Sequence, residues 1–86
     1  MDENIVLNLQ ALEVGQILDA LCTRLETWEY TEEYLKTGHV HEPYCIEECS
    51  NADEAHRIAD YYKEIIKTIE KQAGITTQIK KNNQRN

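Results

Sequence analysis

Between Val14 and Leu35 the positions Val14, Leu18, Leu21, Leu25, Trp28, 32 and Leu35 advance in steps of 4, 3, 4, 3, 4 and 3. Residues three and four apart share one face of an α-helix, so this spacing writes a single apolar stripe along more than five turns. Only Glu32 interrupts it. A second stripe, Ala55, Ile58, Tyr62, Ile65, Ile69 and Ala73, with Ala59 and Ile66 beside it, follows a segment that contains Gly38 and Pro43. Two stripes of matched length on either side of a break predict an all-α fold, an antiparallel hairpin of two helices.

The ends of these helices carry their own signals. Ile5-Val6-Leu7 is apolar and β-branched and reads as a short extended N-terminal segment, with Asn8 as an N-cap for a helix over about 9–37. Gly38 offers the C-terminal stop. Residues 38–50 then form the loop, and Ser50 with Asp53 fits a capping box, with Asn51 as a competing cap, at the start of a helix over about 51–73 that Gly74 ends. Residues 1–74 are the hairpin, and 75–86 are a polar, basic tail. Closing the hairpin near residue 44 sets position i against 87 − i, which brings Lys67 and Lys71 towards Asp19 and Glu13. Gly15 lies inside the first helix, where it either permits a close helix approach or is a tolerated weakness.

Two helices share one seam, and a chain of 86 residues buries a small fraction of its surface. Leu9, Leu12 and Ile17 widen the apolar surface of the first helix beyond what one partner helix covers. The expectation is therefore assembly into a helical-bundle homo-oligomer, with closed symmetry as the default.

Charge narrows the choice of partner. The formal net charge is −7. Residues 1–74 hold all sixteen acids against six bases, a net of −10, and the tail adds Lys80, Lys81 and Arg85. Such a body repels nucleic acid, so direct DNA or RNA binding is not expected. No apolar run approaches the roughly 20 residues that span a bilayer, and the first residues lack the basic start and apolar stretch of a signal peptide. The expected location is the cytoplasm, with Cys22, Cys45 and Cys49 as thiols.

Several residue sets could carry chemistry. The loop holds His39, His41, Cys45 and Cys49, with His56 one turn into the next helix, and these are zinc- and copper-binding residue types. Their spacing, H-x-H-x3-C-x3-C, is not the paired C-x2-C of common zinc folds, and cysteines also pack as small hydrophobes. Packing is the reading taken here, with these four residues kept as candidate metal ligands. Glu26, Glu29 and Glu32 make overlapping E-x-x-E pairs that resemble half of the magnesium site of the all-helical nucleoside triphosphate pyrophosphatases. The other half is missing, since the second helix offers Asp60 and Glu64 at four-residue spacing. A Cys with a nearby His lacks a third group or an oxyanion donor, and there is no glycine-rich phosphate loop. No enzyme activity and no cofactor are expected.

Tyr30, Tyr34, Tyr44 and Tyr61 lie near the loop end and mostly off the stripe, where tyrosines can anchor an interface. Together with the glutamates they give a candidate partner-binding surface of Glu26, Glu29, Tyr30, Glu33, Tyr34 and Tyr44, suited to a basic protein. The alternative is an oligomer that sequesters a nucleotide-like small molecule, using Arg24, Lys36, Arg57 and Lys63 against phosphate and Tyr61 against a base.

The apolar start, the polar cap, the first helix ending Glu-Tyr-Leu-Lys-Thr-Gly (33–38), the loop Tyr-Cys-Ile-Glu-Glu-Cys-Ser (44–50) and the second helix ending Ile-Ile-Lys-Thr-Ile-Glu-Lys-Gln (65–72) resemble short helical-hairpin accessory proteins of phages and prophages. The resemblance spans roughly residues 5–72 and brings no catalytic residues with it. It implies an inhibitor that occupies the surface of a host or defence enzyme, or an oligomer that sequesters a nucleotide signal.

Overall fold

The computed structural model describes residues 3–40, 42–43 and 45–74. Within them the chain forms two helices, α1 (Ala11–Thr37) and α2 (Ala52–Ala73), packed against each other, and no strand.

α1 begins two residues later than the cap residue Asn8 implies. Its N-cap is Gln10, whose backbone N–H donates to Glu13 Oε1 at 2.9 Å. The carboxylate three residues into the helix thus serves a donor outside the helical ladder, and its charge suits the positive end of the dipole. At the far end Gly38 adopts φ 83°, and its N–H donates to the Tyr34 carbonyl at 2.7 Å. A side chain would be strained there, which explains why the helix stops at a glycine.

The competition at the start of α2 resolves in favour of Asn51 over Ser50. Asn51 Oδ1 accepts from the Glu54 N–H at 2.9 Å, while Glu54 Oε1 accepts from the Ser50 N–H at 2.7 Å. The cap is one residue later than the expected Ser50–Asp53 box and is not fully reciprocal, because the Glu54 carboxylate accepts from Ser50, the residue before the cap, and not from Asn51 itself. That backbone donor holds the Glu54 carboxyl below its ordinary pKa.

Leu18, Leu25, Trp28, Ala55, Ala59 and Ile66 form the buried apolar cluster, with Val14, Leu21, Cys22, Cys49, Ile58, Tyr62 and Ile69 packed around it. The stripe on α1 is the one the spacing gives as far as Trp28. Beyond it, Thr31 takes the inward position and is fully buried, while Glu32 flanks it and Leu35 is exposed. On α2 Ala55, Ala59 and Ile66 are buried and Ile58, Tyr62 and Ile69 of the expected line pack along their edge, so the face is turned slightly towards Ala59 and Ile66, with Ile65 half-buried and Ala73 exposed. Alanine at two buried positions beside Trp28 in the same cluster pairs the largest side chain of the core with the smallest, as close packing requires.

Glu32 with His56 and Arg24 with Tyr62 lie within one residue of the register i against 87 − i, and the longer reach of Lys63 to Glu29 departs from it by five. Crossing ion pairs form at Glu29–Lys63 and Glu32–His56 rather than at Asp19–Lys67 and Glu13–Lys71. A Cβ built on Gly15 meets nothing within 4 Å, so this glycine is a tolerated weakness and not a point of helix approach.

Candidate functional site

The loop is fastened to α1 at its centre. Thr31 Oγ1 donates to the Thr27 carbonyl at 2.8 Å and accepts from the Glu47 N–H at 3.0 Å. Arg24 reaches the Glu47 carboxylate, lies beside the Tyr62 hydroxyl and stands 5.9 Å from the Trp28 ring centroid. Residues 45–49 therefore close the side of the core that two helices leave open. Sequence reading passed over Thr31 because threonine is not counted as apolar. The signal was present in its position three residues after Trp28, which continues the 3–4 spacing.

Another side of α1 carries the acidic and tyrosine residues. Glu26, Glu29, Tyr30, Glu33 and Tyr34 occupy an arc of roughly 140° at 100° per residue, turned away from the Leu18–Leu25–Trp28 stripe. Glu26, Glu29, Tyr30 and Glu33 are half-buried, and Tyr34 is exposed. Glu29 Oε2 lies 3.6 Å from Lys63 Nζ. Tyr44, the sixth residue of the expected surface, lies outside the described residues, as does the tail of 75–86.

Charge is concentrated on the same helix. α1 carries six acids against two bases and α2 five against four, and the loop adds Glu42, Glu47 and Glu48. Both bases of α1 are turned to carboxylates off this arc, Arg24 to Glu47 and Lys36 to Glu32 at 2.8 Å. Glu32 also accepts from His56 Nδ1 at 3.1 Å, and the second ring nitrogen of His56 lies 3.3 Å from Asp60. Burial pushes the Glu32 pKa up, yet the hydrogen bonds from Lys36 and His56 outweigh it and hold the carboxyl below its ordinary range.

The bases of the alternative ligand site are not brought together. Arg24 and Lys36 are held as described, Lys63 stands between Glu29 and Asp60, and Arg57 points from the outer face of α2. Tyr61 is exposed and packs edge-on to Tyr62, with ring centroids 6.5 Å apart. Of the candidate metal ligands, His39 and Cys45 are exposed, His41 lies outside the described residues, and Cys49 packs on the core with Sγ 3.6 Å from the Asn51 carbonyl. No group of three His, Cys, Asp or Glu side chains that could hold a metal ion occurs among the described residues. The E-x-x-E carboxylates are likewise divided, Glu29 facing Lys63 and Glu32 facing Lys36 and His56. No helix among the described residues is long and apolar enough to cross a membrane. No protein-family model, curated protein or solved structure matches this chain.

Proposed function

We propose that the protein is a non-enzymatic binding module that inhibits a macromolecular partner by laying the acidic, tyrosine-bearing side of α1 on a basic surface. The observation that carries this reading is the recurrence of Glu26, Glu29, Tyr30, Glu33 and Tyr34 on successive turns of one side of the helix with the larger acidic excess. Carboxylates steer a basic partner into contact, and tyrosines supply contact area at small entropic loss. The resemblance to phage and prophage accessory proteins supports the same role, with a host or defence enzyme as the partner. The ligand-sequestering alternative has less support, because Arg24, Lys36 and Lys63 each face a carboxylate and do not converge.

The test is co-purification of the tagged full chain from cells, compared with a Glu26→Lys, Glu29→Lys, Glu33→Lys variant and a Lys67→Glu, Lys71→Glu control. A partner retained by the parent and the control, lost in the triple variant and released as salt rises is the expected result. A captured set that the triple reversal leaves unchanged refutes the assignment of the face.

A further inference from the structure

The end of the hairpin away from the loop is open. Ile5, Leu7, Leu9, Ala11, Val14 and Ile17 line a groove of about 560 Å³ whose α2 wall is Ile69, Gln72 and Ala73. Ile5, Leu7, Leu9 and Ile17 are 80, 70, 43 and 39% exposed, and Val6 and Leu12, at 93 and 75%, carry the apolar surface on around the chain. Taking about 180 Å² for a fully exposed aliphatic residue, these six leave roughly 700 Å² in water, above the ~300–600 Å² of the largest patch on an ordinary monomer and close to the ~800 Å² each partner contributes to a standard interface.

We infer that this end is the interface of a homodimer, in which a second copy of the chain covers the groove and completes the core. The exposed area matches one half of a standard dimer interface, and two further observations select a second copy over another occupant. Among the described residues the buried cluster holds six apolar side chains, a small core for a folded chain, and the molecule always present in equal amount to enlarge it is the chain itself. The first 23 residues carry four acids and no base, which disfavours an anionic membrane surface or nucleic acid at this end. Glu26 lies nine residues beyond Ile17, about 13 Å along α1 at 1.5 Å per residue, so the acidic face is distinct from the groove and the two inferences fail independently.

Sedimentation equilibrium and thermal melts of the full chain over roughly 1–100 µM test the proposal. The expected mass is twice 10.0 kDa, with a melting temperature that climbs with concentration. An Ile5→Asp, Leu7→Asp variant, altered outside both helices, should need about a hundredfold higher concentration for both dimerisation and helix content, whereas Tyr61→Lys should match the parent. A parent chain that sediments at 10.0 kDa up to 100 µM with a concentration-independent melt overturns the inference, and includes the case in which residues 75–86 cover the groove. A dimer of unchanged strength in the Ile5, Leu7 variant overturns it equally.

Discussion

Replacing Thr31 with Val separates the role of its hydroxyl from the role of its volume. Valine has nearly the same shape and the same β-branching, so the buried position stays filled and the helix loses little. What disappears is the acceptor for the Glu47 N–H, 3.0 Å away, and a donor to the Thr27 carbonyl, which keeps its helical partner. A buried donor left without an acceptor costs about 1–3 kcal/mol, and because Glu47 is only half-buried the lower part of that range, about 1–2 kcal/mol, is expected. The assay is urea unfolding followed by Trp28 fluorescence at one fixed protein concentration, together with hydrogen exchange at the Glu47 amide. Thr31→Val should lower the midpoint and remove protection at Glu47 while the amides of α1 and α2 keep theirs; Thr31→Ser should keep the Glu47 protection and lose only about 1 kcal/mol for the missing methyl. A valine variant within a few tenths of a kcal/mol of the parent, with Glu47 still protected, refutes the claim that Thr31 pins the loop.

The Glu32 carboxyl has a folded pKa below its ordinary 4.5, so it stabilises the fold above that value and its contribution is lost as pH falls through the folded pKa. Glu32→Gln should therefore flatten the acid limb of stability against pH below about 4.5, and an unchanged limb counts against the Lys36–Glu32–His56 arrangement. Gly15→Ala should raise stability by about 0.5–1 kcal/mol, since the added methyl enters open space inside a helix; denaturant midpoints decide the sign. Ala59→Leu forces three further carbons into a position that is 2% exposed and should lower stability by about 1–3 kcal/mol, read in the same titration.

The two helices and their stops were legible because each rests on local rules. A 3–4 apolar spacing has one geometric meaning, and Gly38 and Gly74 both adopt the positive φ that ends a helix. Errors of one or two residues arose where several local solutions compete. Asn8 and Gln10 can each precede a helix, and only the reach of the Glu13 carboxylate back to the Gln10 N–H selects the second. Ser50 and Asn51 differ in the same way. That Ala59 and Ile66 are buried more deeply than Ile58 and Ile65 could not come from hydropathy, which ranks isoleucine above alanine; it depends on how α2 is turned against α1.

For the functional face the division is similar. The order of Glu26, Glu29, Tyr30, Glu33 and Tyr34 fixes that they share one side of α1, since helical periodicity needs nothing beyond the sequence. How far this side is exposed follows from the tertiary structure, which leaves Tyr34 exposed, half-buries the other four and sets Glu29 against Lys63 of α2. The same is true of the cations: the sequence shows that Arg24, Lys36 and Lys63 exist, and only the packing shows each drawn to a carboxylate, Glu47, Glu32 and Glu29, that lies far from it or one turn away in the chain. Periodicity is a property of the backbone and can be read one residue at a time. Which charges meet and which face is covered depend on contacts between segments separated along the chain, and these are decided only when the helices pack.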